Sequence, residues 1–179
     1  SVNDAVQYSF EYDSFGRRTA TRVGQMAGPQ TLLSAQSYDS LGRVTQRRYG
    51  TGQFVQYTYD TLDRLTELRY NTGTGTAAYR YIYDDLNQLV RINDVAGGKT
   101  YTYTYDNRGN LRQKNEYALS TGELGTPTRT VDYGYGNADW QDQLTSYNGS
   151  AITYDAIGNP TIWYNGMQMT WQKGRQLTG

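Results

Sequence analysis

Apolar and polar residues alternate in short runs along this chain. Between 101 and 105, Tyr101, Tyr103 and Tyr105 fall on one side, and Thr102 and Thr104 on the other. A period of two predicts a β-strand with two distinct faces. The run closes on Tyr105-Asp106, and the same pair recurs at Tyr12-Asp13, Tyr38-Asp39, Tyr59-Asp60, Tyr83-Asp84 and Tyr154-Asp155. Weaker copies stand at Tyr135-Gly136 and Trp171-Gln172. Two residues before the aromatic lies another aromatic or apolar residue: Phe10, Tyr57, Tyr81, Tyr103, Tyr133, Ile152 or Met169, with Gln36 the exception. The spacing varies around a period of about 20 residues, which marks a repeat whose loops differ in length.

Each pair opens a turn. The Asp carboxylate can accept a hydrogen bond from the backbone N–H two residues on. The fourth turn position holds Gly16, Gly42, Asp63, Asn87, Gly109 and Gly158. Gly, Asn and Asp are the residues that best tolerate positive φ, so backbone conformation selects this slot. The third position holds Phe15, Leu41, Leu62, Leu86 and Ile157, with Arg108 the exception, and is expected to tuck over the sheet. A second strand follows each turn, and Asn148-Gly149 and Asn165-Gly166 read as tight two-residue hairpin turns. The expected fold is all-β: an antiparallel meander of roughly fourteen short strands. Its repeated hairpins form a curved or spiralling strip, because open sheets this wide curl or split. One repeat array of about eight units spans 1–179, irregular at 118–142, where a long loop and extra residues interrupt the frame.

Composition sharpens this picture. Few aliphatic residues would suggest disorder, yet the net charge is +0 and there are 19 tyrosines and 20 glycines. Sheet and turns fit better. The chain has no cysteine and no histidine, which removes disulfides, thiolate metal sites, and the commonest general base. No nucleophile elbow or phosphate-cradling glycine loop is present. No catalytic, metal or cofactor site is therefore expected, and the chain does not read as an enzyme. Balanced charge gives no case for nucleic acid, and no apolar run is long enough for membrane insertion as a helix.

The motifs "YDSFGRRT", "YDSLGRVT", "YTYDTLDRL", "YTYDNRGNL", "YDAIGNPT" and "MTWQKGRQL" resemble the YD repeat of Rhs proteins, teneurins, bacterial wall-associated proteins and the C components of insecticidal Tc toxins. The resemblance covers essentially the whole chain and is nearest to surface proteins of Gram-positive bacteria. It implies a spiralling strip of antiparallel strands that closes into a hollow shell around a polypeptide cargo, often a toxin domain. It also implies an extracellular or cell-surface location and stacked tyrosines along the sheet. It does not imply an active site. A strip of fourteen strands rolled once would have a diameter on the order of 20 Å, too narrow for a folded domain. The chain is thus expected to be part of a longer wall, with neighbouring repeats or further copies of itself as partners.

Each feature also has a sharper alternative. The tyrosine faces could stack on a glycan, against cross-strand packing that joins repeats. An uncapped strip could pair edge to edge into filaments. The repeated Asp could bind metal, but the same position in every unit favours a turn cap. Trp140, Trp163 and Trp171 are expected to anchor the irregular units.

Overall fold

A computed structural model describes residues 6–24, 30–72 and 75–179. These residues form seventeen strands and no helix. Strands β1 (Gln7–Tyr12), β2 (Arg18–Gly24), β3 (Gln30–Tyr38), β4 (Val44–Tyr49), β5 (Phe54–Tyr59), β6 (Leu65–Thr72) and β7 (Gly75–Tyr83) come first. Next are β8 (Leu89–Asp94), β9 (Lys99–Tyr105), β10 (Leu111–Ala118), β11 (Arg129–Gly134), β12 (Ser146–Tyr147) and β13 (Ser150–Ala151). These thirteen strands follow chain order in an antiparallel sheet, a meander without crossovers. Two separate hairpins follow: β14 (Thr153–Tyr154) with β15 (Pro160–Ile162), and β16 (Trp171–Gln172) with β17 (Gln176–Leu177).

The chain divides into two compact units. One runs to Ile82 and includes 93–98; the other comprises 83–92 and 99–179. In the first, the buried apolar residues are Ala20, Val23, Leu33, Ala77 and Ala78; in the second they are Val131 and Ile152. They are few and all aliphatic, Ala, Val, Leu or Ile, with no aromatic among them. Long side chains sit half-exposed instead, and polar joints carry much of the specificity.

The register explains the repeated phrase. Tyr12, Tyr38, Tyr59, Tyr105 and Tyr154 stand opposite Arg18, Val44, Leu65, Leu111 and Pro160, always five residues beyond the Asp. A bulge accompanies each of these pairs. The extra residue lets a type I turn join strands that twist the right-handed way.

Of the two expected tight hairpin turns, one is found and one needs correction. Asn148-Gly149 has positive φ at both residues, 51° and 83°, as a two-residue hairpin requires. At Asn165-Gly166 only Gly166 is positive; its N–H bonds the Trp163 carbonyl at 2.8 Å, and Trp163 N–H bonds the Met167 carbonyl at 2.9 Å. That is the bulged turn of the main repeat. The last unit shortens its turn instead, with Lys173 and Gly174 at φ 47° and 82°.

The third turn position is also corrected. Phe15, Leu41, Leu62, Leu86 and Ile157 do not tuck over the sheet: they are 50–81% exposed. The carboxylate bonds the backbone N–H of that very residue and holds the loop apex with the side chain facing out.

Candidate functional site

The repeated site is a clasp built by five residues. In the first unit, Asp39 Oδ1 accepts from Leu41 N–H at 3.0 Å and Arg43 N–H at 2.9 Å. The backbone of Asp39 closes the ring: its N–H donates to the Arg43 carbonyl at 3.0 Å, and its carbonyl accepts from Gly42 N–H at 3.1 Å. Gly42 has φ 83°, where a β-carbon would strain the backbone. Asp13 and Asp60 repeat the pattern in this unit, and Asp84, Asp106 and Asp155 repeat it in the other. The fourth residues Gly16, Asp63, Asn87, Gly109 and Gly158 all have φ between 63° and 86°.

The fifth residue completes the clasp. Arg17, Arg43 and Arg64 each bring Nε to 2.7 Å from the second oxygen of Asp13, Asp39 and Asp60. In the second unit Asn110 and Asn159 donate from Nδ2 to Asp106 and Asp155 at 3.0 and 2.8 Å. These donors fix the electrostatics. Partial desolvation pushes the carboxyls of Asp13, Asp39, Asp60 and Asp106 up, but the combined hydrogen bonds and positive charge outweigh it, leaving each below the ordinary carboxylate range. For Asp155 the Asn159 backbone N–H is the largest influence, and the carboxyl is again lowered.

The clasp also reaches its neighbour. Arg17 Nη1 donates to the Asp39 carbonyl at 3.4 Å, and its guanidinium lies 4.5 Å from the Tyr38 ring centre. Arg43 does the same to Asp60 at 3.3 Å and Tyr59 at 4.7 Å. Asn110 donates to the Gln141 carbonyl at 3.1 Å and Asn159 to that of Gly174 at 2.6 Å. The tyrosines answer in the opposite direction. Tyr38, Tyr59, Tyr105 and Tyr154 donate their hydroxyls to the carbonyls of Arg18, Val44, Leu89 and Leu144 at 2.8, 3.0, 2.8 and 2.6 Å. Trp171 fills the same role with its indole N–H, 2.6 Å from the Pro160 carbonyl.

A model of the teneurin YD-shell family matches residues 2–115, most of the chain. The chain belongs to this family. Its fold is similar to that of the Photorhabdus luminescens Tc holotoxin pore bearing a TccC3 mutation, at 15% identity and a TM-score of 0.54, over 95% of this chain and 11% of that one. The complex of TcdB2-TccC3 with Cdc42 gives 15% identity and a TM-score of 0.55, over 97% of this chain and 11% of that one. The YD-shell chain thus spans about a ninth of the length of these solved chains. No curated protein matches it.

Sequence reasoning missed the fifth position of the YD-shell turn. Arg17, Arg43, Arg64, Gln88, Asn110 and Asn159 are all side chains with N–H donors, and that restricted list was the available signal. It also missed the tyrosine hydroxyls. Tyr38 and Tyr59 are two strands apart, about 9.6 Å, beyond ring-to-ring contact. A guanidinium fills the gap. Ring pairs do occur, at Tyr70–Tyr79 (6.2 Å) and Tyr133–Tyr147 (5.4 Å), but outside the motif tyrosines. Tyr12 ends β1 and is exposed, and Tyr83 ends β7.

If the hydroxyls join neighbours, removing one weakens the fold without repacking it. Tyr59→Phe is expected to cost about 1 kcal/mol, the worth of one buried neutral hydrogen bond. Urea unfolding checks this; an unchanged midpoint would assign the joint to the guanidinium alone.

Proposed function

We propose that this chain is a wall segment of a shell that encloses a polypeptide cargo, within a longer, secreted or surface-exposed bacterial protein. The observation that carries this reading is the two-way joint between successive hairpins. Tyrosine hydroxyls reach back one repeat, and Arg or Asn side chains reach forward one repeat. Such a joint extends a wall sideways without limit and creates no reacting centre. The connections between successive hairpins vary in length, as 50–53 beside 119–128 shows, while the Tyr-Asp turn keeps one length, which suits a strip that must bend. The seventeen strands here are short of a full enclosure by the spacing argument, in keeping with about a ninth of the solved chains.

Limited proteolysis of the longer protein tests the proposal. A segment outside the wall's own repeats should survive a protease that digests unfolded chain, and Arg43→Met should shorten its survival. Digestion of every such segment at the rate of an unfolded peptide refutes enclosure.

A second reading, assembly of strips edge to edge, is favoured by one observation. All six residues of β1 are exposed, including Tyr8, Phe10 and Tyr12. Exposed edges pair with other strands. Sedimentation velocity over a hundredfold range of concentration separates the two: a constant monomer removes the assembling strip.

A further inference from the structure

The first unit contains two filled guanidinium seats. Arg43 lies over the Tyr59 ring, donates to the Asp60 carbonyl, and pairs through Nη1 with the Asp63 carboxylate at 2.5 Å. Arg17 lies over Tyr38 and donates to the Asp39 carbonyl. The seat consists of a tyrosine face and the carbonyl of the next Asp, and at Arg43 an added carboxylate.

The second unit builds the same frame at Tyr154-Asp155. Tyr154 donates to Leu144 as Tyr59 does to Val44, and Gly158 N–H bonds the Asp155 carbonyl at 3.1 Å, as Asp63 N–H does that of Asp60 at 3.3 Å. The residue preceding Leu144, however, is Gln143, where the earlier units carry Arg43 before Val44 and Arg17 before Arg18. Gln143 is held by Asn137, whose Nδ2 donates to its Oε1 at 2.7 Å. A hollow of about 550 Å³ opens instead, lined by Tyr154, Asp155, Trp140, Asp139, Gln143 and Asn137 among others. Trp140 is 43% exposed and adds a second aromatic wall. Asp139 gives its backbone N–H to Asn137, while its carboxylate has no partner among the described residues.

We propose that this hollow is a guanidinium seat for an arginine side chain supplied by another polypeptide segment. Three features agree on that ligand. The Tyr-Asp frame is the one that receives arginine elsewhere in the same chain. Tyr154 and Trp140 both line the hollow, and aromatic rings attract a cation. The free carboxylate of Asp139 supplies the opposite charge, as Asp63 does for Arg43. An ammonium group would meet the charge but not the flat stacking surface that guanidinium uses. The proposal depends on the fold alone and stands whether or not the wall encloses a cargo.

The test uses N-acetylarginine amide as the probe, with the neutral citrulline amide as its isostere, and follows the Trp140 indole N–H resonance, assigned with Trp140→Phe. Arginine amide is expected to shift that resonance saturably, with a Kd on the order of 1 mM. The citrulline probe is expected to leave it in place. Asp139→Asn, an exposed change, should weaken binding about fivefold. Gln143→Arg should abolish it by seating an arginine from within, and should raise the melting temperature. Equal shifts from both probes, or an undiminished titration in a folded Gln143→Arg protein, overturns the proposal.

Discussion

Gly158→Ala is expected to destabilise the second unit by about 3 kcal/mol, where Gly109→Ala costs about 1 kcal/mol. The two glycines occupy the same turn slot, with φ 85° and 86°, so the backbone strain is shared. They differ in what a β-carbon would meet. At Gly109 the nearest atom is Gln88 Nε2 at 3.6 Å. At Gly158 it is the Trp140 ring, with carbons at 2.2 and 2.4 Å. Ring carbons at that distance must move, so the Trp140 indole has to leave its packing against the turn. The difference between the variants therefore measures Trp140 packing, and it should vanish in a Trp140→Ala background. Urea unfolding followed by the fluorescence of Trp163 and Trp171 reads it, since all three tryptophans lie in this unit. A gap that persists without Trp140 would place the strain in the backbone.

Acid should unfold the protein cooperatively with protonation of its turns. Asp13, Asp39, Asp60, Asp106 and Asp155 all titrate below their ordinary range in the folded chain. The unfolded chain holds its carboxyls near pKa 3.9, so between the two values it binds more protons than the folded chain. Stability then rises with pH in that interval. The contribution is complete above about pH 4–5 and is lost as pH falls through the depressed folded values. Urea midpoints measured from pH 7 down to pH 2 should stay level to about pH 5 and then fall. Asp39→Asn should flatten part of that fall, because an amide keeps an acceptor oxygen but has no proton to take up. A midpoint level down to pH 2 would mean the carboxylates are no better held in the fold than in solution.

Much of the architecture was legible because local rules agree here. Alternation at 101–105 is written in single residues, and a slot that accepts only Gly, Asn or Asp reports a dihedral directly. Joints between repeats were less legible. A tyrosine hydroxyl that bonds a backbone carbonyl 10 to 20 residues back makes no demand on the side chain there: Val44, Leu89 and Leu144 are aliphatic, but Arg18 accepts equally well. The exposed third position misled for a related reason. Hydrophobicity at Leu41 or Leu86 suggests burial, but the carboxylate two turn positions earlier decides where the side chain points. At 135–144 the frame reappears in the fold through Leu144, although Asn137, not Asp139, caps the loop.

The antiparallel pairing of the meander has a further consequence in the second unit. What holds β10 to β11 is the pairing of Gln113–Glu116 with Arg129–Asp132, together with Thr128 N–H on the Glu116 carbonyl at 2.7 Å. Apart from Thr128, its last residue, the connecting loop 119–128 contributes none of this. Cohesion here comes from lateral bonding and not from the covalent thread, so a chain severed at Leu124 would keep its neighbours in place, as a brick course survives a cut in the cord that once delivered the bricks.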